Sequence, residues 1–370
     1  FKKLKQTIII FDMELQKFID ENSDYLSQFK DYKLHVRKYS QLGLSIVKSY
    51  RNNNYNYEEN PWLRYCRGVI INTNTNRVVC IPPMKADRED DINQIINNYN
   101  EEYVYEPLIE GTMINMFYHN DDWMIATRSN IGAKNSWDSK LPFNKMFLEV
   151  NGSDWFNELK KDHCYSFVLH HVKNRIISPI HENAIFLVEN YQITDTAIEK
   201  KELQVIPTIN NMFTLTKEML NSYQGDLFYS IKGITIKMNQ KRVNWINPNY
   251  KYVEALKMNY NNKFLNYIAL RQHRLLNDYL TYFPEEVNLF NEYRNSFNRI
   301  KMRLYERYVS RFIKKEIKQQ DIEYPLRPLV YELHNYYKES GEKINIKVVS
   351  DYMHDLDGKR VLFIKNQLNY

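Results

Sequence analysis

Between residue 32 and about residue 255, short runs rich in β-branched and aromatic residues alternate with polar clusters. The runs cover 34–39, 44–50, 68–71, 77–81, 113–118, 123–127, 165–169, 185–192 and 231–238. Turn-forming clusters at 72–76, 119–122 and 239–240 separate several of them, so the pattern predicts strands joined largely as hairpins. Helical stretches are expected near 89–99 and 141–161. Residues 12–31 read as an amphipathic helix with Leu15, Phe18, Ile19, Leu26 and Phe29 on one side. The central part is therefore expected to be α+β with mostly antiparallel sheets.

After about residue 250 the period changes to three and four. Helices are expected over 251–283, 285–319, 327–339 and 345–368; in the second, Phe290, Tyr293, Phe297, Ile300, Leu304 and Tyr308 form an apolar stripe. The expected organisation is an N-terminal helical extension (1–31), an α+β domain (32–255) and an all-helical domain (256–370). No internal repeat is visible, and the Asn/Tyr-rich stretch 51–60 reads as an exposed loop.

Charge sharpens this division. From Lys251 onward 21 basic and 15 acidic side chains account for the whole net charge of +6. Arg299, Arg303, Arg307, Arg311 and Lys315 recur at four-residue steps, a ladder that suits a nucleic-acid backbone. The same ladder also reads as a solvated face relieved by Glu292, Glu306 and Glu316. A hydrophobic fraction of 43% with 26% charged residues fits a globular chain and no disordered one. The early apolar run 7–11 is too short for a signal peptide or a membrane span, and no membrane partner is expected. Cys66, Cys80 and Cys164 are too few and too scattered for a disulfide framework, which suits a reducing compartment; without a CxxC pair no structural metal is expected. The chain opens on Phe1 and not Met, which leaves room for residues ahead of it.

Four segments mix glycine, charge and β-type residues: Leu108-Ile109-Glu110-Gly111-Thr112-Met113-Ile114, Ala126-Thr127-Arg128-Ser129, the stretch 167–178 ending in Asn174-Arg175-Ile176, and Lys232-Gly233-Ile234-Thr235-Ile236-Lys237 with its continuation to Pro248. Their order and spacing resemble the covalent nucleotidyltransferases, namely RNA ligases, DNA ligases and mRNA capping enzymes. Bacteriophage-type RNA ligases and the RNA-ligase-like proteins of large DNA viruses are the nearest likeness. In such a pocket a lysine attacks the α-phosphate of ATP or GTP, a glycine admits the sugar, carboxylates hold ribose or Mg2+, and further cations neutralise phosphate.

The resemblance maps residue by residue. Leu108 stands where the nucleophilic lysine is expected, while Glu110 and Gly111 keep the acid and glycine of the first motif. Arg128 matches the sugar- or phosphate-contacting arginine of the second. In the third, Val168 replaces the acid and Asn174-Arg175-Ile176 is intact. In the fourth, Lys232 replaces the acid, and Gly233 and Lys237 are kept. In the fifth, Asn244 and Ile246 stand in place of two lysines. Arg67-Gly68 and Lys85 look like the arginine–glycine strand and the lysine that precede the first motif.

The resemblance thus implies a ligase-type nucleotidyltransferase domain with antiparallel sheets, followed by a helical domain. Its nucleotide- or phosphate-binding residues would be Glu110, Gly111, Arg128, Arg175, Gly233, Lys237, Arg67 and Lys85, with no catalytic lysine in place. Lys85 or Lys232 is the candidate for a relocated nucleophile. His170, His171, Trp123, Trp137, Trp155 and Trp245 are read as core or surface residues before ligands or stacking platforms. Three readings follow: a nucleic-acid-binding protein that no longer nucleotidylates itself, with RNA favoured over DNA; an RNA ligase using ATP or GTP and Mg2+ or joining preadenylated ends; and a scaffold subunit bound to other viral proteins. Each places the chain in host cytoplasm or a viral factory, or in the virion.

Overall fold

The computed structural model describes residues 10–370 apart from 12–13, 51–52, 138–139, 239–240, 259 and 261. The turn expected at 239–240 lies outside the described residues. Two compact units, Phe1–Lys251 and Tyr252–Tyr370, divide the chain.

The first unit begins with β1 (Ile10–Phe11), α1 (Glu14–Glu21) and α2 (Tyr25–Asp31). One continuous helix was expected here. The chain breaks at Asn22, whose side-chain amide donates to Phe18 O at 2.7 Å and so satisfies a carbonyl that the helix leaves open. An antiparallel meander follows: β2 (Leu34–Tyr39), β3 (Leu44–Ser49), β4 (Arg67–Asn72) and β5 (Arg77–Cys80). Leu15, Ile19 and Phe29 of the helices share one apolar cluster with Leu34, Val47, Val69, Ile71 and Trp62.

Next come β6 (Asp87–Glu89), α3 (Ile92–Asn97), β7 (Val104–Pro107), β8 (Thr112–His119), β9 (Asp122–Thr127), β10 (Asn130–Ile131) and α4 (Phe143–Asn151). They are followed by β11 (His163–His170), β12 (Ala184–Ile193), β13 (Ile198–Lys201), β14 (Asn210–Asn211), α5 (Lys217–Asn221), β15 (Gly233–Lys237), β16 (Arg242–Ile246) and α6 (Pro248–Leu256). The division between the two units falls inside α6. The larger sheet runs β1-β13-β12-β11-β8-β9-β10, with β14 beside β12, and a second sheet runs β6-β16-β15-β7. All pairs are antiparallel except β12 with β14 and β16 with β6, so the expected α+β class holds.

Strand alternation sorts the side chains of both sheets. On the larger sheet Ile114, Met116, Tyr165, Phe167, Leu169, Ile185 and Leu187 pack with Phe143, Met146 and Phe147 of α4. On the second, Tyr105, Ile234, Ile236 and Trp245 pack with Ile92, Ile95 and Ile96 of α3 and Leu220 of α5. Each sheet therefore turns its apolar face to helices. The opposite faces carry polar residues, and these meet each other. Cys66, Cys80 and Cys164 are all free and fully enclosed in this unit.

The second unit is helical: α7 (Lys263–Gln272), α8 (Leu276–Tyr282), α9 (Val287–Tyr308) running into a π-helical turn at Val309–Ile313, α10 (Arg327–Ser340), α11 (Ile346–Asp355) and α12 (Gly358–Gln367). Phe290, Phe297, Ile300 and Leu304 of the expected stripe are buried. Two expected helices are subdivided. Asn262 caps α7 by accepting from Phe264 N at 2.9 Å, and Pro284 follows the end of α8. Asp357 caps α12 by accepting from Lys359 N at 2.9 Å, so 345–368 is two helices. Among the described residues no helix is long and apolar enough to cross a membrane.

Candidate nucleotide cleft and the charged network within it

The segments singled out by sequence come together where the polar faces of the two sheets meet. Leu108 directly follows β7, and its N–H donates to Gly233 O at 2.9 Å. At Gly111 (φ +149°) an added Cβ would lie 2.5 Å from Val168 Cγ1 and 2.7 Å from Leu169 O, so this turn is pressed onto β11. Buried Glu110 accepts at Oε1 from Ile177 N (2.9 Å) and Ser178 N (3.2 Å), and its Oε2 lies 3.3 Å from Ser178 Oγ. Ser178 Oγ is in turn 3.1 Å from Ser230 O, and Asn174 Nδ2 donates to Thr112 Oγ1 at 3.0 Å. Leu108, Glu110, Gly111, Arg175, Gly233 and Lys237 thus belong to three segments that touch one another.

Leu108 falls on the same side of its strand as Glu106, two residues earlier, and Glu106 faces the interior. Lys237 on β15 is in register with Val104, two residues along β7 from Glu106 on the same face, and is only 9% exposed. Its ammonium is 2.6 Å from Glu106 Oε2 in ion-pair geometry and donates to Val188 O at 2.9 Å. Burial pulls its pKa below the ordinary lysine value, against the pull of Glu189 and Glu106.

Glu189, on β12, is the hub. Arg242 Nη1 donates to its Oε1 at 2.9 Å and Tyr191 Oη to its Oε2 at 2.8 Å; Lys200 lies 3.5 Å and Lys237 3.9 Å from Oε1. Arg242 Nε also donates to Thr235 Oγ1 at 3.0 Å. Burial alone would raise the Glu189 carboxyl, but Lys200, Arg242, Lys237 and the Tyr191 hydroxyl outweigh it and hold the pKa at about 2. The same carboxylate, after burial, raises Tyr65 and Tyr191.

Lys237, Arg242 and Lys200 are therefore neutralised by the chain's own carboxylates. Sequence reasoning missed Glu106, Glu189 and Arg242. A signal for Glu106 existed, because it stands two residues before Leu108 and shares its strand face. Glu189 is a lone acid in the apolar run 185–192, which marks a buried, paired charge.

The remaining candidates lie apart from this network. Arg128, in the turn after β9, donates from Nη2 to Ser49 O at 2.8 Å, and its backbone lies against Gly68, beside Arg67 on β4. Arg175 donates to Ile177 O at 3.0 Å within its own loop. Lys85 donates to Tyr57 Oη at 3.0 Å and sits 4.6 Å from that ring's centre. His171 is enclosed and 3.1 Å from Glu149 Oε2; Trp155 and Trp245 are core residues, whereas Trp137 is 65% exposed.

Two rungs of the arginine ladder, described within the helical unit, have an acceptor the sequence did not announce. Arg303 and Arg307 each donate from Nε to Glu323 at 2.7 Å. Arg311 donates to Ile317 O at 3.2 Å, Arg299 lies 6.0 Å from the Tyr370 ring, and Lys315 takes a left-handed backbone, φ +57°.

A divalent cation would need oxygen ligands free to turn inward. Val168 and Lys232 occupy the expected acid positions, and Glu110 spends both oxygens on the 177–178 backbone and the Ser178 hydroxyl. These residues do not fit Mg2+. Among the described residues no three His, Cys, Asp or Glu side chains are grouped to hold a metal.

No family model matches the chain. A "Putative bifunctional polynucleotide kinase/RNA ligase" of Autographa californica nuclear polyhedrosis virus is 23% identical in a 137-residue alignment that covers 32% of this chain. That stretch is only 18% of the viral protein. Among solved structures, an archaeal ATP-dependent RNA ligase aligns with a TM-score of 0.45 at 10% identity, covering 77% of this chain and 82% of the other. A "Putative ATP-dependent DNA ligase from Aquifex aeolicus" aligns with a TM-score of 0.40 at 12% identity, covering 79% and 78%. The sequence likeness is thus to a putative polynucleotide kinase/RNA ligase of a virus, over a limited stretch of the chain.

Proposed function

We propose that this chain is an RNA-ligase-like protein that binds nucleic acid, RNA above DNA, without forming a lysyl–nucleotide. The observation that carries this reading is the pairing inside the cleft. Leucine stands at the nucleophile position, and the retained lysine of the fourth segment is held by Glu106 and by Val188 O. An aliphatic side chain cannot attack phosphorus. A buried ammonium already paired with a carboxylate must lose that partner before it can serve a phosphate, which costs several kcal/mol, on the order of 3–5. The unmatched acids at Val168 and Lys232 point the same way, because they remove the metal-binding half of the chemistry.

The cleft then serves the fold, and binding falls to exposed basic surfaces. The likeness to the viral RNA ligase supports RNA as the nucleic acid. The test is incubation of the purified chain with radiolabelled ATP or GTP and Mg2+ or Mn2+, followed by denaturing electrophoresis, beside a titration of labelled oligonucleotide against salt. The expected result is an unlabelled protein that binds RNA more weakly as salt rises. AMP or GMP covalently held by any lysine, Lys85 and Lys232 included, overturns it.

A further inference from the structure

The β2–β5 meander holds a second concentration of positive charge, built differently from the cleft. His35 on β2 is in register with Lys48 on β3, and Lys48 with Arg67 on β4, so the three form one row across three strands. Arg37 lies two residues further along β2, on the same face. Arg128 enters from the turn after β9: its Nη2 donates to Ser49 O at 2.8 Å, and its Cα would be 2.8 Å from a Cβ on Gly68. Backbone contact thus fixes the arginine beside the row.

In the cleft, cations meet carboxylates. Here Lys48 faces Arg128 and Arg37. The Lys48 ammonium is lowered first by burial and then by Arg128 and Arg37, both cations. Among the described residues neither Lys48 nor Arg37 forms an ion pair with a carboxylate; the Arg37 guanidinium rests 5.1 Å from the Tyr39 ring centre. Like charges in neighbouring positions of a sheet are destabilising, so the fold carries an electrostatic cost that an anion would relieve. Just past the end of β3, Tyr50 is 51% exposed, with its ring edge-on to His35 at 6.3 Å.

We propose that His35, Arg37, Lys48, Arg67 and Arg128 bind the sugar–phosphate backbone of a single-stranded nucleic acid, with Tyr50 stacking on one of its bases. This rests on the nucleic-acid reading above and locates it on the meander instead of the arginine ladder of the helical unit. A row across three strands is about 10 Å long, enough for a few phosphates. An exposed tyrosine at its end can stack only on a base that is not already paired and stacked in a duplex.

The experiment measures fluorescence anisotropy of a labelled oligouridylate of about 12 nucleotides, a length one small domain can cover, with the full chain over a salt series. Four proteins are compared: wild type, Arg37→Ala/Lys48→Met, Tyr50→Ala, and Arg299→Ala/Arg311→Ala as the ladder control. The double meander variant should lower the salt slope by about 1.4, the value for two lost phosphate contacts on a single strand. Its melting temperature should stay level or rise, since repulsion is relieved. Tyr50→Ala should weaken binding about fivefold or more without changing the slope.

Wild-type binding that the meander variants leave intact, while the ladder control abolishes it, overturns this inference and leaves the proposed function standing. An absence of any wild-type binding overturns both. Displacement of the RNA by polyglutamate at equal charge, together with no effect of Tyr50→Ala, overturns the nucleic-acid assignment in favour of an acidic polypeptide.

Discussion

Lys237 on β15 stands 2.6 Å from Glu106 on β7 and at the same time donates to Val188 O on β12, so one side chain ties the two sheets together. An ion pair this deeply enclosed gives little net stability over an apolar pair, but removing one partner strands the other charge. Glu106→Leu or Lys237→Met alone should therefore cost about 3–5 kcal/mol in urea unfolding, while the two together should cost clearly less than their sum. Additive costs in that double-mutant cycle would show that the two side chains do not act as a pair.

Glu189 predicts an acid-sensitive stability. Its carboxyl falls from an ordinary 4.5 to about 2 on folding. A depressed carboxyl stabilises above its unfolded pKa, and that contribution is lost as pH falls from about 4.5 toward about 2; the shift is worth about 3 kcal/mol. Glu189→Gln should lower stability near neutral pH and flatten the loss between about pH 5 and pH 3. Parallel pH profiles for the two proteins would contradict the assignment.

Gly233 (φ +150°) opens β15 against Trp245, whose carbonyl oxygen would lie 2.0 Å from an added Cβ. The obstacle is backbone and cannot swing aside. Gly233→Ala should cost more than about 4 kcal/mol or prevent folding, whereas Gly225→Ala, with nothing within 4 Å, should be near neutral. Circular dichroism melts of the two variants make the comparison directly.

In the helical unit Glu323 accepts from both Arg303 and Arg307, and the Arg307 hydrogen bond leads the causes that hold its carboxyl at about 2. Glu323→Ala releases two guanidinium groups. With the RNA site on the meander, the salt slope of RNA binding should stay unchanged. A slope steeper by about 1.4 would mean that both freed rungs reach phosphate.

Much of the sheet unit was legible because hairpin strands with one apolar face announce themselves: 34–39 is observed as Leu34–Tyr39 and 123–127 as Asp122–Thr127. β6, β7 and β13 were missed because they are short and their exposed or charged positions, such as Asp87, Glu106 and Glu199, break the alternation. The convergence of 108–112 with 168–178 and 230–247 was legible from motif order alone. The internal neutralisation of Lys237 was not, because strand alternation says which face a residue takes but not which carboxylate from another sheet meets it. The breaks inside 251–283 and 345–368 depend on the Asn262 and Asp357 caps, single hydrogen-bonding residues that hydrophobic periodicity does not register.

The three enclosed cysteines make the sheet unit its own reporter. All lie in Phe1–Lys251, and burial pushes the Cys66 and Cys80 thiols well above their ordinary range, so neither offers a thiolate to an alkylating reagent while the fold is closed. Slow incorporation of iodoacetamide, followed peptide by peptide in a mass spectrometer, would therefore time the opening of that unit alone. The helical unit, which has no cysteine, would be silent to the same reagent.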